Sequence, residues 1–360
     1  MQISCLLDGI HWNIIENQEN FKVAQLKPVF SPHRVAASLF QEIATTTKKN
    51  KMKSEFNLQS FLSIFGAPQL SLENFTRMND QIRPVAYYGL PIIIVCAILE
   101  MVSQWREKDQ SRLDAKESIF SFVVGLGYLV SSYTTKALLF GMIVWFYNLI
   151  PWRMELHWWM FIPCYIIHDF SSYWRHRISH ESRFWWSIHI PHHSANHYNL
   201  WINFRQSWFE QFCVIFYIPM LLMGFHPVLY FVVHQLNAIL QFWVHTEYIG
   251  RLPKWIEYIF VTPTSHKVHH ASNEKYLDKN FGNTFLIWDR MFGTFVEYDE
   301  KPVYGLTEPI HTNNVFHIVF DEAIAIGKDA RNAKGLKEKM RMLFGSPARI
   351  AAEKKMKQAA

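Results

Sequence analysis

Residues 157–193 read HWWMFIPCYIIHDFSSYWRHRISHESRFWWSIHIPHH. The run from His157 to Trp174 opens on a Trp-Trp pair suited to a membrane interface and stays largely apolar. It passes without a break into the box His176-Arg177-Ile178-Ser179-His180. A second box, His189-Ile190-Pro191-His192-His193, follows, and a third, His266-Lys267-Val268-His269-His270, lies further on. Imidazoles at i, i+3 and i+4 share one helix face, so each box aims two or three nitrogens at one point. Together the boxes offer more nitrogens than one ion accepts, and neutral imidazole suits iron, zinc, copper or nickel. The spacing therefore predicts two metals with open positions. The bland alternative is a set of satisfied core histidines.

Of the 360 residues, 50% are hydrophobic and 16% aromatic, and only 18% are charged, well under the rough quarter of soluble domains. That balance predicts a membrane protein, with the His-, Arg- and Asn-rich segments in water. Spans are expected at 85–103 and at 119–150, the latter as one tilted helix or a broken pair, with a third at 157–174. Arg106, Lys108, Arg112 and Lys116 mark the connection between the first two as cytosolic. The first box then sits on a helical extension that leaves the membrane. An apolar hairpin, spanning or re-entrant, is expected at 212–244, turning at Gly224-Phe225-His226-Pro227. Ser265 reads as the cap of a helix bearing the third box, residues 281–296 as a short cover over the site, and 336–344 as an amphipathic surface helix.

The expected fold is thus an all-α integral membrane protein, with several transmembrane helices and a cytosolic-face helical cap carrying a histidine-rich dimetal site. Its parts are an N-terminal extension (1–75), N-terminal transmembrane helices (76–157), a catalytic domain (158–300) and a basic tail (301–360). The extension has no clear period and no signal-peptide pattern; it reads either as disordered or as sequence upstream of a start at Met52. The net charge of +6, clustered at 48–53, 106–116 and 328–357, suits anionic lipid headgroups beside spans and argues against nucleic acid. Cys5, Cys96, Cys164 and Cys213 form no CxxC, so neither disulfides nor thiolate metal sites are expected.

From Phe161 to Phe295 the boxes and their neighbours resemble the fatty acid hydroxylase and sterol desaturase superfamily of membrane di-iron oxygenases. Further strings are most similar to its alkylglycerol monooxygenase branch: Tyr173 to Arg177, Tyr198-Asn199-Leu200, Gln241 to Glu247, Trp288 to Phe295 and Val303 to Thr307. His197 stands where that branch has an acidic residue. The resemblance implies two Fe ions held by His176, His180, His189, His192, His193, His266, His269 and His270. His245, three helical turns after His234, is expected as the ninth ligand. His168 and His234 read either as ligands or supporting groups or as buried polar packing, and His197 as a ligand or a wall of the pocket. A ligating imidazole needs its other N–H held, and Asp169, Glu181, Asn196 and Asn283 are the nearest suppliers; Glu181, Asp169 and Asn283 are the expected catalytic residues. Arg175, Arg177 and Arg205 either hold a lipid phosphate or carboxylate or anchor the chain at the face. His11, His33, His157, His226, His311 and His317 read as ordinary.

The implied chemistry is hydroxylation of a lipid C–H bond with O2. Next to an ether oxygen this gives a hemiacetal that parts into fatty aldehyde and glycerol. Neither a GxGxxG after a strand nor a Cys-x-x-Cys-His is present, so the electrons come from an external donor: tetrahydrobiopterin for the alkylglycerol-like family, a cytochrome b5 or ferredoxin system for its cousins. The expected location is an endoplasmic reticulum or bacterial inner membrane, with the site on the cytosolic face. Two other readings are a sterol, fatty-acid or carotenoid hydroxylase or desaturase, and a histidine-rich metal transporter or sensor, whose ligands belong near the bilayer midplane.

Overall fold

The computed structural model describes residues 67–107, 115–308 and 314–359. The readings of the N-terminal extension up to residue 66, Met52, Cys5, His11, His33, Lys108, Arg112 and His311 lie outside the described residues. Among those described, the regular elements are helical, with isolated bridges at Phe260–Phe285 and Ala271–Tyr304.

Two helices are long and apolar enough to cross a membrane: α1 (Leu72–Glu107), through its Tyr88–Glu107 part, and α2 (Ala115–Asn148). Only 17% of each apolar window is buried. A soluble core helix of that composition would be covered, whereas here Ile92, Leu99, Val130 and Leu138 are exposed, as lipid contact requires. Exposed Trp105, Trp145 and Trp158 stand near the helix ends, where amphipathic rings prefer the interface.

α2 runs unbroken through Ser131, Ser132 and Lys136. Its hydroxyls find partners without opening the helix: Thr134 and Thr135 donate to the Ser131 carbonyl, and Ser131 donates to the Trp208 carbonyl. The Trp208 indole lies on Gly127, where a Cβ would come within 2.2 Å of the ring, and its Nε1–H donates to the Val124 carbonyl at 3.0 Å. Glycine there lets the chain after the second box press against the spanning helix.

The third expected span is not among the helices both long and apolar enough to cross. After a 3₁₀ turn (Trp158–Met160), α3 (Phe161–Glu181) carries the first box, and α4 (Arg183–His193) carries the second. A 3₁₀ segment (Leu200–Phe204) follows. The apolar hairpin resolves into a 3₁₀ stretch (Glu210–Tyr217), α5 (Ile218–Leu222) and α6 (Pro227–Phe242), each too short to cross. A core of Phe140, Ile143, Tyr147, Cys164, Met220 and Val233 joins α2, α3, α5 and α6. Cys96, Cys164 and Cys213 are unpaired.

The rest of the described chain adds six α-helices. It comprises α7 (Lys254–Ile259), α8 (Pro263–His269) with the third box, α9 (Ile287–Phe292), α10 (Val315–Asn332), α11 (Leu336–Phe344) and α12 (Pro347–Ala359). The cap of α8 is Thr262 rather than Ser265. Thr262 Oγ1 accepts from the Ser265 N–H while Ser265 Oγ accepts from the Thr262 N–H, a reciprocal capping box. Arg183 of α4 reaches Glu322 and Asp329 of α10 at 2.6 Å each, fastening the tail over the second box.

Candidate metal centre

The fold gathers the nine histidines read as ligands into two groups. His176, His180, His189, His193 and His269 form one, and His192, His245, His266 and His270 the other; within each, the ligand atoms lie within 4.8 Å of one another. Adjacent His192 and His193 fall into different groups because successive helix residues point about 100° apart.

The nitrogens are poised for a cation. His189 Nε2 lies 3.1 Å from His176 Nε2 and 3.0 Å from His193 Nε2. In the second group His245 Nε2 lies 3.1 Å from His192 Nε2 and 2.9 Å from His266 Nε2. A ring N–H cannot serve two such partners, and several of these atoms cannot be donors. A carbonyl only accepts, so the Nδ1 bonds of His176 to Phe281 O (3.0 Å), His245 to Gln241 O (2.9 Å) and His269 to Lys279 O (2.9 Å) fix each proton on Nδ1. Their Nε2 lone pairs then face other imidazoles of their own group. Nitrogens about 3.0 Å apart are what adjacent positions around one ion with bonds of about 2.1 Å require. Buried His180 Nε2, His266 Nδ1 and His270 Nε2 also lack a hydrogen-bond partner. The residues present fit two imidazole-bound metal ions.

Burial, and then the neighbouring imidazoles or Arg175, hold His176, His189, His192, His193, His266, His269 and His270 well below the usual histidine pKa; burial brings His245 to about 4. At neutral pH these rings are uncharged and their lone pairs available.

The groups that orient the histidines are not those expected from sequence. Asp278 Oδ1 lies 3.2 Å from His180 Nδ1, and the other holders are main-chain carbonyls. Asp278 and Asn280 adopt φ of 56° and 55°, the left-handed region, on either side of Lys279, whose carbonyl takes the His269 proton; Asp and Asn tolerate that backbone better than most residues. Asp169 holds no histidine. It accepts from the Thr284 and Phe285 N–H groups (2.7 and 3.1 Å) and from Trp288 Nε1 (2.9 Å), while Asp289 accepts from the Phe281 and Gly282 N–H groups at 2.7 Å. The two carboxylates thus fix the loop whose Phe281 carbonyl holds His176. Glu181 pairs with Arg177 at 2.8 Å on the surface. Asn283 gives its carbonyl to Gln241 Nε2, and Asn196 gives its N–H to Glu117 at 2.8 Å.

His168 and His234 bond to each other, at 3.2 Å, and join neither group. His197 also stands apart, its Nδ1 2.6 Å from Glu117 Oε2. Arg205 pairs with the same Glu117, and Arg175 with Glu210. Glu117, in the first turn of α2, therefore gathers the chain after the second box. Glu100 does the same from α1: it accepts from the Leu200 N–H at 2.6 Å and from the Thr246 hydroxyl beside His245. A carboxylate in an apolar span is the sequence signal that could have found it.

Residues 161–294 match the family profile described as Fatty acid hydroxylase. That stretch is similar to fatty acid hydroxylase domains. This stretch, with its flanks, is 33% identical to the alkylglycerol monooxygenase of Xenopus tropicalis over 78% of this chain, and 34% identical to that of Homo sapiens over 80%. The aligned part spans 62% and 65% of those relatives' own lengths. An ornithine lipid hydroxylase of Rhizobium tropici is 28% identical over 36% of this chain and 40% of its own. No solved structure matches.

Proposed function

We propose that this chain is a membrane-bound di-iron oxygenase that hydroxylates an ether lipid with O2, the reaction its alkylglycerol monooxygenase relatives are named for. The observation that carries this reading is the pair of buried, all-imidazole groups with inward-facing lone pairs. Five and four imidazoles leave positions open on six-coordinate ions, unlike a closed structural zinc site. Bound there, two ferrous ions supply the redox chemistry that hydroxylation of an unactivated C–H bond demands. The protein's own part is to hold each ring through carbonyls, Asp278 and the Asp169–Asp289 loop, and to keep water out by burial. One oxygen of O2 enters the C–H bond beside the ether oxygen, while two electrons and two protons carry the other to water. The resulting hemiacetal parts into aldehyde and glycerol. The donor is external: tetrahydrobiopterin, or a cytochrome b5 or ferredoxin system.

The placement of the two groups is supported by Glu100 and Glu117, at the end of α1 and α2 that bears Arg106 and Lys116, which bond the Leu200 and Asn196 N–H groups in the chain that follows the second box. By the positive-inside rule that end is cytosolic. A transporter would instead keep its ligands near the middle of its spans. Likeness to the ornithine lipid hydroxylase favours, as second reading, hydroxylation of another lipid.

Membranes containing the chain, given oxygen and reduced pterin, are expected to convert an isotopically labelled 1-O-alkylglycerol to trapped fatty aldehyde. Oxygen gain by a sterol or free fatty acid without any aldehyde would reject the ether-lipid assignment and leave the hydroxylase reading.

A further inference from the structure

The segment 281–296, expected as a cover over the site, presents with α7 a surface that is apolar and aromatic. Trp255 and Tyr258 of α7 are exposed, and Met291 of α9 is 64% exposed. Arg290 lies over the Tyr258 ring at 4.2 Å and donates from Nε to the Tyr258 carbonyl at 3.1 Å, and Lys254 stands exposed beside Trp255. Exposed Trp and Tyr flanked by Lys and Arg are the set that anchors a chain at a membrane–water interface.

This patch continues an exposed apolar stripe on α3. Ile162 and Ile166 are exposed, while Cys164 between them shares a core with Phe140, Ile143 and Tyr147 of the spanning α2. Ile162, Ile166, Phe170 and Trp174 follow at four-residue steps and form one slowly winding stripe. α9 packs on its upper half: Phe170 meets Trp288 and Trp174 meets Phe292, with ring centroids 5.1 Å apart in each pair. The outward side of α9 therefore extends the stripe towards the first box. The irregular backbone here is also built for lipid, which tolerates non-helical chain only where its polar groups are satisfied within the protein. The Val261 N–H goes to the Thr284 carbonyl and the Leu286 N–H to the Ile259 carbonyl, at 2.8 Å each. Asp169 and Asp289, both fully buried, take the N–H groups of Thr284, Phe285, Phe281 and Gly282.

We propose that α7 and α9 form a membrane-docking surface, with Trp255, Tyr258 and Met291 seated at the headgroup–acyl boundary of the bilayer that α1 and α2 cross. The rings and Met291 meet the acyl side, and Lys254 and Arg290 the phosphate level. Asp289 of α9 fixes the loop whose Phe281 carbonyl holds His176, so the first histidine group is tied to this surface through one loop. This inference rests on the membrane reading of the chain and adds that α7 and α9, as well as the spans, meet lipid.

The test is the depth of a nitroxide on the full chain in phosphatidylcholine vesicles, read from its collisions with dissolved oxygen and with a water-soluble nickel chelate. Trp255→Cys and Met291→Cys carry the label at exposed positions, one at a time, with the signal of the labelled unaltered chain subtracted. Both labels are expected roughly 5–10 Å below the phosphates, open to oxygen and shielded from nickel. A label at Glu297→Cys, on a side chain 70% exposed, should instead meet nickel freely. One at Val130→Cys, exposed on α2, should be open to oxygen and shielded from nickel. Nickel access at 255 or 291 equal to that at 297, with 130 still shielded, would overturn the surface and leave the spans standing; a face kept for a protein partner gives that result in vesicles of lipid alone. Nickel access at 130 as well would reject the membrane reading itself, and the surface with it.

Discussion

His193→Ala and His270→Ala are each expected to lower lipid oxidation at least about a hundredfold while leaving membrane insertion unchanged. Each removes one imidazole from a different group, and the chemistry needs both. Even residues that merely orient a ligand typically cost 10- to 100-fold when lost; a ligand costs no less. Insertion depends on the apolar faces of α1 and α2, which neither substitution touches. His317→Ala is the control: His317 is exposed and pairs with Asp321 on its own helix at 2.9 Å, so activity should stay at the wild-type level. Oxidation rates in membranes with matched protein amounts check this. Wild-type rates in either box variant would remove that group from the mechanism.

Glu100→Ala should have the second largest effect. Its carboxylate is buried among apolar neighbours of α1 and bonds the Leu200 N–H and the Thr246 hydroxyl. Truncation strands both donors away from water, at about 1–3 kcal/mol each, and frees the segment that places His245. Iron retention should fall about 10- to 100-fold, with lost activity restored in part by excess iron. A variant holding wild-type iron through dialysis would show that α1 does not position the second group.

The boxes were legible because helical spacing alone puts residues 176 and 180, 189 and 193, and 266 and 270 on shared faces. The membrane character was legible for a similar reason: apolar runs of span length stand out in composition. What the sequence hid was non-local. The division into five and four histidines depends on how α4 and α8 meet, and Asp278, the Lys279 carbonyl and the Phe281 carbonyl hold their rings through a loop of which only 281–296 read as a cover over the site. Main-chain carbonyls leave no trace in side-chain identity, so the sequence pointed to nearby carboxylates and amides as the orienting groups. Asp169 proved to act on that loop rather than on a ring. Glu100 was visible as an oddity in a span, but its partners lie about a hundred residues on. The expected third span, 157–174, opens on a 3₁₀ turn at Trp158–Met160 and continues as α3 from Phe161 into the first box.

Iron content after anaerobic reconstitution tests the central claim most directly. Two separated imidazole groups predict about two irons per chain, falling towards one in His193→Ala and in His270→Ala. A reproducible single iron per fully active chain, or full activity with zinc alone, would contradict it.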